Sequence, residues 1–202
     1  MGKNIEKIKV MLAVPCQSTV LAKTAFSLVH SVINVPFEVD FVLRIGCDII
    51  GSRVWLVRNA IKHKATHILF VDHDMYFPPG TIQRLVAADK DIIGGAYNFR
   101  QLPLRSTAIP IGSELKDGEY RIDPATLPKE IFKCIALGTG LLLIKLSVFE
   151  EIPEPWFQFG RGKDGELVQG EDTFFCVQAR KAGFDVWADP TLGVKHCGEY
   201  MY

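Results

Sequence analysis

The stretch THILFVDHDMYFPPG, residues 66–80, decides how this chain is read. Ile68 to Val71 are four consecutive apolar residues, the pattern of a strand buried on both faces. The run passes directly into Asp72-His73-Asp74 and stops at Pro78-Pro79-Gly80, a turn signal. Two carboxylates two residues apart at the tip of a buried strand raise each other's pKa unless a cation stands between them.

Working outward, strand-like and helix-like segments alternate. IKVMLAVP (8–15) reads as a buried strand, and STVLAKTAFSLVHSVIN (18–34) as a helix with Ser18 or Thr19 as N-cap. PFEVDFVLRIG (36–46) is strand-like. IGSRVWLVRNAIKHK (50–64) is helical, with Val54, Val57 and Ile61 along one face. PGTIQRLVAADK (79–90) gives a third helix and DIIGGAY (91–97) a fourth strand. Such alternation predicts an α/β domain with a mainly parallel central sheet flanked by helices, Rossmann-like in character.

After Tyr97 turn residues dominate, and residues 98–130 read as a small hairpin-bearing insertion containing the short run EYRI. FKCIALGTGLLLIK (132–145) supplies two strands broken at Gly138-Thr139-Gly140, followed by a short helix over 146–150. FGRGKDGELVQG (159–170) reads as a mobile glycine-rich loop. EDTFFCVQARKAG (171–183) is a helix with acids first, bases last and a glycine stop. FDVWADP is a last strand and GVKHCGEYMY a tail. Nothing marks a linker, so residues 1–202 read as one domain.

Acidic and basic residues balance at 23 each, which gives no signature for nucleic acid or an anionic membrane. The five cysteines form no CxxC pair and sit in apolar segments, so buried, reduced thiols are expected. The first residues lack the apolar run of a signal peptide, and no apolar segment is long enough to span a bilayer. A cytoplasmic location is the expectation.

At the carboxyl end of a strand in an open α/β sheet, ligands bind. If the extended geometry persists, Asp72 and Asp74 point to one side and can share one hard divalent ion, Mg²⁺ or Mn²⁺, with phosphate oxygens filling its other positions. The alternative is a pair of solvated acids capping the next helix.

FVDHDMYFPPGTIQRLV resembles the DxD segment of GT-A fold glycosyltransferases of the family 2 type. VWLVRNAI, LGTGLLLIKLSVFEEI and GEDTFFCVQARKAGFDVWADPTLGVKHCG match further segments in the order that fold requires. The resemblance implies a metal-dependent transferase that takes a UDP- or GDP-sugar donor to an unidentified hydroxyl acceptor. It implies a metal site of Asp72, Asp74 and His196, and Asp172 as the catalytic base. Pro15, Gln17, Arg58 and Asn59 would lie at the nucleotide, together with Asp72. Gly138, Thr139, Gly140 and Glu171 would lie near the donor sugar or acceptor, and Trp156 beside the glycine-rich loop and Arg100 in the insertion are further candidates there from their own setting in the sequence.

Each assignment has a plainer counterpart. His196 alone reads as a surface histidine, Arg58 as a snorkelling helix residue, and Trp156, Phe157 and Phe159 as core. Arg100 and Arg105 read as solvated loop residues, and Lys195 as a weak neutraliser of diphosphate. Two other functions compete with the transferase. A GT-A-like domain that only binds nucleotide or glycan is one. A DxD phosphatase is the other, although Tyr76 stands where that chemistry expects Thr or Val.

Overall fold

The computed structural model describes residues 7–113 and 122–198. Three strands open the chain: β1 (Lys9–Cys16), β2 (Glu38–Ile45) and β3 (His67–Val71), with β1 parallel to both others. The connections are α1 (Ala22–Ser31) and α2 (Ile49–Lys62). There follow β4 (Met75–Tyr76), α3 (Thr81–Ala87) and β5 (Ile92–Gly95). The insertion contributes β6 (Ile109–Pro110), and β7 (Phe132–Ala136), β8 (Leu141–Lys145) and α4 (Val148–Glu151) come next. The chain continues through β9 (Gly160–Arg161), β10 (Leu167–Gln169), α5 (Glu171–Lys181), β11 (Val186–Asp189) and β12 (Lys195–His196).

Among the described residues eight strands make the central sheet, in the order β2-β1-β3-β8-β5-β11-β7-β6. The expected mainly parallel sheet is in fact mixed. Strand β8 runs antiparallel between β3 and β5, and β7 runs antiparallel to both β11 and β6. An unbroken apolar run such as LLLIK reports burial on both faces but carries no information about strand direction.

Two apolar layers cover the sheet. One packs Leu56 and Val57 of α2, Phe149 of α4 and Phe175 of α5 against Met11, Ala13 and Phe70. The other packs Leu28 of α1 with Ile82 and Leu85 of α3 against Leu12, Leu69 and Val71. No helix among the described residues is long and apolar enough to cross a membrane.

Several local expectations change. Helix α1 starts at Leu21 without a side-chain cap, and the Leu21 N–H donates to His73 O instead. Helix α2 is capped by Asp48, whose carboxylate accepts from Ile50 and Gly51. Its inward face carries Arg53, Leu56, Val57 and Ala60, while Ile61 is exposed. The glycine-rich loop is a short antiparallel ribbon of β9 and β10, turned at Gly165 with φ 78°. The insertion folds back through antiparallel bridges of Ser106 to Asn98 and to Ile122. Most of its EYRI run lies outside the described residues. Within the expected tail, Lys195 and His196 form β12, which pairs antiparallel with β4, and residues 199–202 lie outside the described residues. Cys47 is exposed, unlike the other four thiols, and all five are free.

Candidate functional site

The strand tip is built from three directions. Beyond Val71 the chain turns, with Met75 N–H donating to Asp72 O at 3.3 Å. Asp72 N–H donates to Gly140 O of the neighbouring break, and Cys197 N–H donates to Asp74 O at 2.7 Å. The turn ends the strand's two-residue period, so Asp72 and Asp74 do not share one direction. The two carboxylates contact different partners instead, Asp72 with Arg53 and Asp74 with His196. Among the described residues no three His, Cys, Asp or Glu side chains gather as a metal site.

Asp74 is buried, and its Oδ2 lies 3.2 Å from His196 Nε2 and 3.1 Å from Arg100 Nη1. Burial pushes its carboxyl pKa up, but the hydrogen bond and charge of His196, with His73 and Arg100, hold it below the usual carboxylate range. His196 Nδ1 faces Asn98 O at 3.3 Å. A proton donated to that carbonyl leaves a neutral imidazole with a lone pair aimed at a carboxylate. The Nε2–H tautomer satisfies the Asp74 contact directly, and the Nδ1–H tautomer leaves the Nε2 lone pair free for a cation. A backbone carbonyl on the far nitrogen is the usual support of a metal-bound histidine.

Asp72 belongs to a second cluster. Its Oδ1 accepts from Arg53 Nη2 at 3.0 Å, and Arg53 Nε donates to Glu171 Oε1 at 3.3 Å. Arg53 is only 2% exposed, with its guanidinium over the Phe70 ring. Burial would lower its pKa, but the charges of Asp72 and Glu171 more than offset that and keep it protonated. Its Nη1 is buried without a partner among the described residues. Asp172, next along α5, has its carboxyl pKa raised by burial and by the charge of Glu171. Its Oδ1 accepts from Thr173 N–H at 2.7 Å.

Tyr97 stands between the two clusters. Its phenol accepts from Gly140 N–H at 2.9 Å, and its ring meets His196 edge to face. Burial, with the charges of Asp72 and Asp172, pushes the phenol well above its ordinary pKa, so it stays neutral. Beside His73, a cavity of about 190 Å³ opens at the carboxyl ends of β1 and β2 and is bordered by Pro15, Gln17, Cys47 and Ser52. A larger cavity, about 800 Å³, lies at the opposite end of the sheet near Thr66 and His67, away from every residue of either cluster.

The structure thus brings together Asp74, His196 and Arg100, and separately Asp72, Glu171 and Asp172. It leaves others out. Arg58 forms an exposed ion pair with Glu154 at 2.9 Å, and neither it nor Asn59 borders the cavity. Gly138, Thr139 and Gly140 are buried rather than open to a sugar. A Cβ at either glycine would strike the Tyr97 phenol, so the close approach they permit is by that ring. Trp156 is core, packed on Phe149 with its indole N–H donating to Ile152 O. Phe157 is core as well, while Phe159 is half-buried. Arg105 bonds the Leu104 carbonyl, and Lys195 points to solvent.

Arg53, Tyr97 and Asn98 carry weight that sequence reasoning missed. For Arg53 a signal existed, since its spacing to Leu56, Val57 and Ala60 puts it on the helix's inward stripe.

No protein-family profile matches the chain, and neither does any curated protein sequence. Among solved structures it resembles A197 from STIV, with a TM-score of 0.64 and 17% identity over 94% of this chain and 85% of that one. The likeness is one of fold: an α/β chain whose large mixed sheet is flanked by helices.

Proposed function

We propose that the chain is a GT-A-type glycosyltransferase that uses a divalent ion and a UDP- or GDP-sugar donor to glycosylate a hydroxyl acceptor. The observation carrying this reading is Asp74 Oδ2 facing His196 Nε2 at 3.2 Å across 122 residues of sequence. Neighbouring ligands of an octahedral ion with bonds of about 2.1 Å stand roughly 3.0 Å apart. The pair therefore fits one edge of a Mg²⁺ or Mn²⁺ shell and leaves the other positions for diphosphate. When bound, such an ion would stabilise the charge that develops on the departing diphosphate.

The chain's own residues supply the remainder. The cavity beside Pro15, Gln17 and His73 receives the nucleoside. Asp72, fixed by Arg53, would meet the ribose. Asp172 takes the proton of the acceptor hydroxyl, a task suited by its raised pKa. Glu171, bound to Arg53, positions the first turn of α5 rather than reacting. The same Arg53 pairing leaves Asp72 a poor nucleophile, which disfavours the phosphatase.

A second reading rests on Arg100. Its guanidinium already neutralises Asp74, so Arg100 and His196 would hold a diphosphate without metal, for binding alone. Thermal denaturation with nucleoside diphosphates and nucleotide sugars, with and without Mn²⁺, separates these. Stabilisation that requires Mn²⁺ together with transfer or hydrolysis of the sugar supports the transferase, and stabilisation without turnover, or indifferent to metal, supports the binding domain. No stabilisation by any nucleotide would refute both.

A further inference from the structure

The outer side of α1 and the free edge of β2 carry an inference independent of the site. Helix α1 turns Thr24, Ser27 and Ser31 inward with Leu28. Phe26, Val29 and Ile33 lie outward, each half exposed or more. A surface helix ordinarily does the reverse. Alongside it, Phe41, Leu43 and Ile45 alternate on the face of β2 nearest α1 and are 54%, 40% and 60% exposed. An apolar groove of about 260 Å³ runs between helix and strand, bordered by Val29, Phe41 and Leu43. These side chains expose on the order of 600 Å² of apolar surface, as much as the largest patch of a typical monomer and close to one partner's share of a stable interface.

The strand beneath is unprotected. Among the described residues β2 pairs only with β1. Glu38 N–H donates to Ile8 O and Gly46 N–H to Cys16 O, so even-numbered residues turn their backbone groups toward β1. By alternation Val39, Phe41, Leu43 and Ile45 turn theirs outward, leaving a row of open donors and acceptors.

We propose that two copies of this chain join edge to edge, β2 antiparallel to β2, about a two-fold axis through Val42. In that register Asp40 of each copy faces Arg44 of the other, giving two ion pairs on one side of the joined sheet. On the other side Phe41 meets Leu43 and Val39 meets Ile45. An axis through Phe41 would set Asp40 against Val42, pair Glu38 with Arg44 and place Ile45 opposite Phe37, which lies outside the strand, and one through Leu43 would leave Asp40 and Arg44 without opposite charges. The two-fold keeps both α1 helices on one side, so their apolar faces close over the shared strands.

Sedimentation velocity of the full chain at micromolar concentration tests this, together with a cross-link. Val42 would face its own copy in a non-hydrogen-bonded pair with Cα atoms about 4.5 Å apart, within disulfide reach. Val42→Cys in a Cys47→Ser background is expected to give a covalent dimer on oxidation. Leu43→Arg, and separately Val29→Lys at a 60% exposed position that leaves the core untouched, are expected to give folded monomers. A wild-type chain that remains monomeric overturns the proposal, and flotation of that monomer with phosphatidylcholine vesicles would assign the face to a membrane. A dimer that survives Leu43→Arg and Val29→Lys, or that leaves the Val42→Cys variant uncrosslinked, also overturns it.

Discussion

Arg53 is one buried cation facing three carboxylates, those of Asp72, Glu171 and Asp172. Removing it leaves those charges uncompensated, so Arg53→Ala should cost about 3–5 kcal/mol in urea unfolding, and Arg53→Lys less. Asp172 behaves in the opposite sense. Its raised pKa means that the folded chain holds this proton more tightly than the unfolded chain does. The associated stability is full below the unfolded value of about 3.9 and is lost as pH rises through the folded pKa. Asp172→Asn should therefore melt at or above the wild-type temperature at neutral pH, with the gap closing toward pH of about 4. An Asp172→Asn variant that melts below the wild type at neutral pH and draws level with it in acid would show instead that Arg53 holds Asp172 charged. The roles of the two acids separate in another assay. Asp74→Ala should abolish Mn²⁺-dependent stabilisation by nucleotide, whereas Asp172→Ala should retain it and lose transfer. The acids are visible in the sequence because charges beside an apolar run break a pattern. Arg53 is hidden because a polar residue on a helix is ordinarily taken for its solvent face, and functional sites are where such local rules fail.

Among the elements, the β7–β8 break shows how tightly the strand tip is cast. Gly140 lets the Tyr97 phenol approach its backbone, and its carbonyl accepts from Asp72. Gly140→Ala should cost about 1–3 kcal/mol through overpacking, and Tyr97→Phe in the same chain should recover part of it, as read by denaturant midpoint. Periodicity locates most of the regular elements, since β1, β3, α2 and α5 each carry a long apolar pattern or clear end signals. It misses β12, whose two residues are too few for any pattern and which forms only because β4 is there to receive it. It misses the β9–β10 ribbon for a similar reason: glycine-rich polar sequence suits a loop and a hairpin equally. Neighbour order in the sheet is a long-range property, and the placement of β8 between β3 and β5 is set by packing rather than by its own residues.

For the whole molecule, ligand binding and stability are linked by mass action. A nucleotide at a hundredfold excess over its Kd adds about 2.7 kcal/mol, which for a domain of this size raises Tm by roughly 5–10 °C. That is readily measured if the site is completed by metal. Both halves of the site join distant parts of the chain: Asp74 to His196 over 122 residues, and Arg53 to Glu171 over 118. Synthesis runs from the amino end, so the early acids and the early arginine emerge from the ribosome long before their counterparts exist. A nascent chain halted anywhere before α5 carries the acidic strand tip with neither imidazole nor Glu171 to complete it. On the proposed reading competence therefore arrives only once Glu171 and His196 have both been translated, and products truncated before them should be inert toward nucleotide however well their first strands have paired.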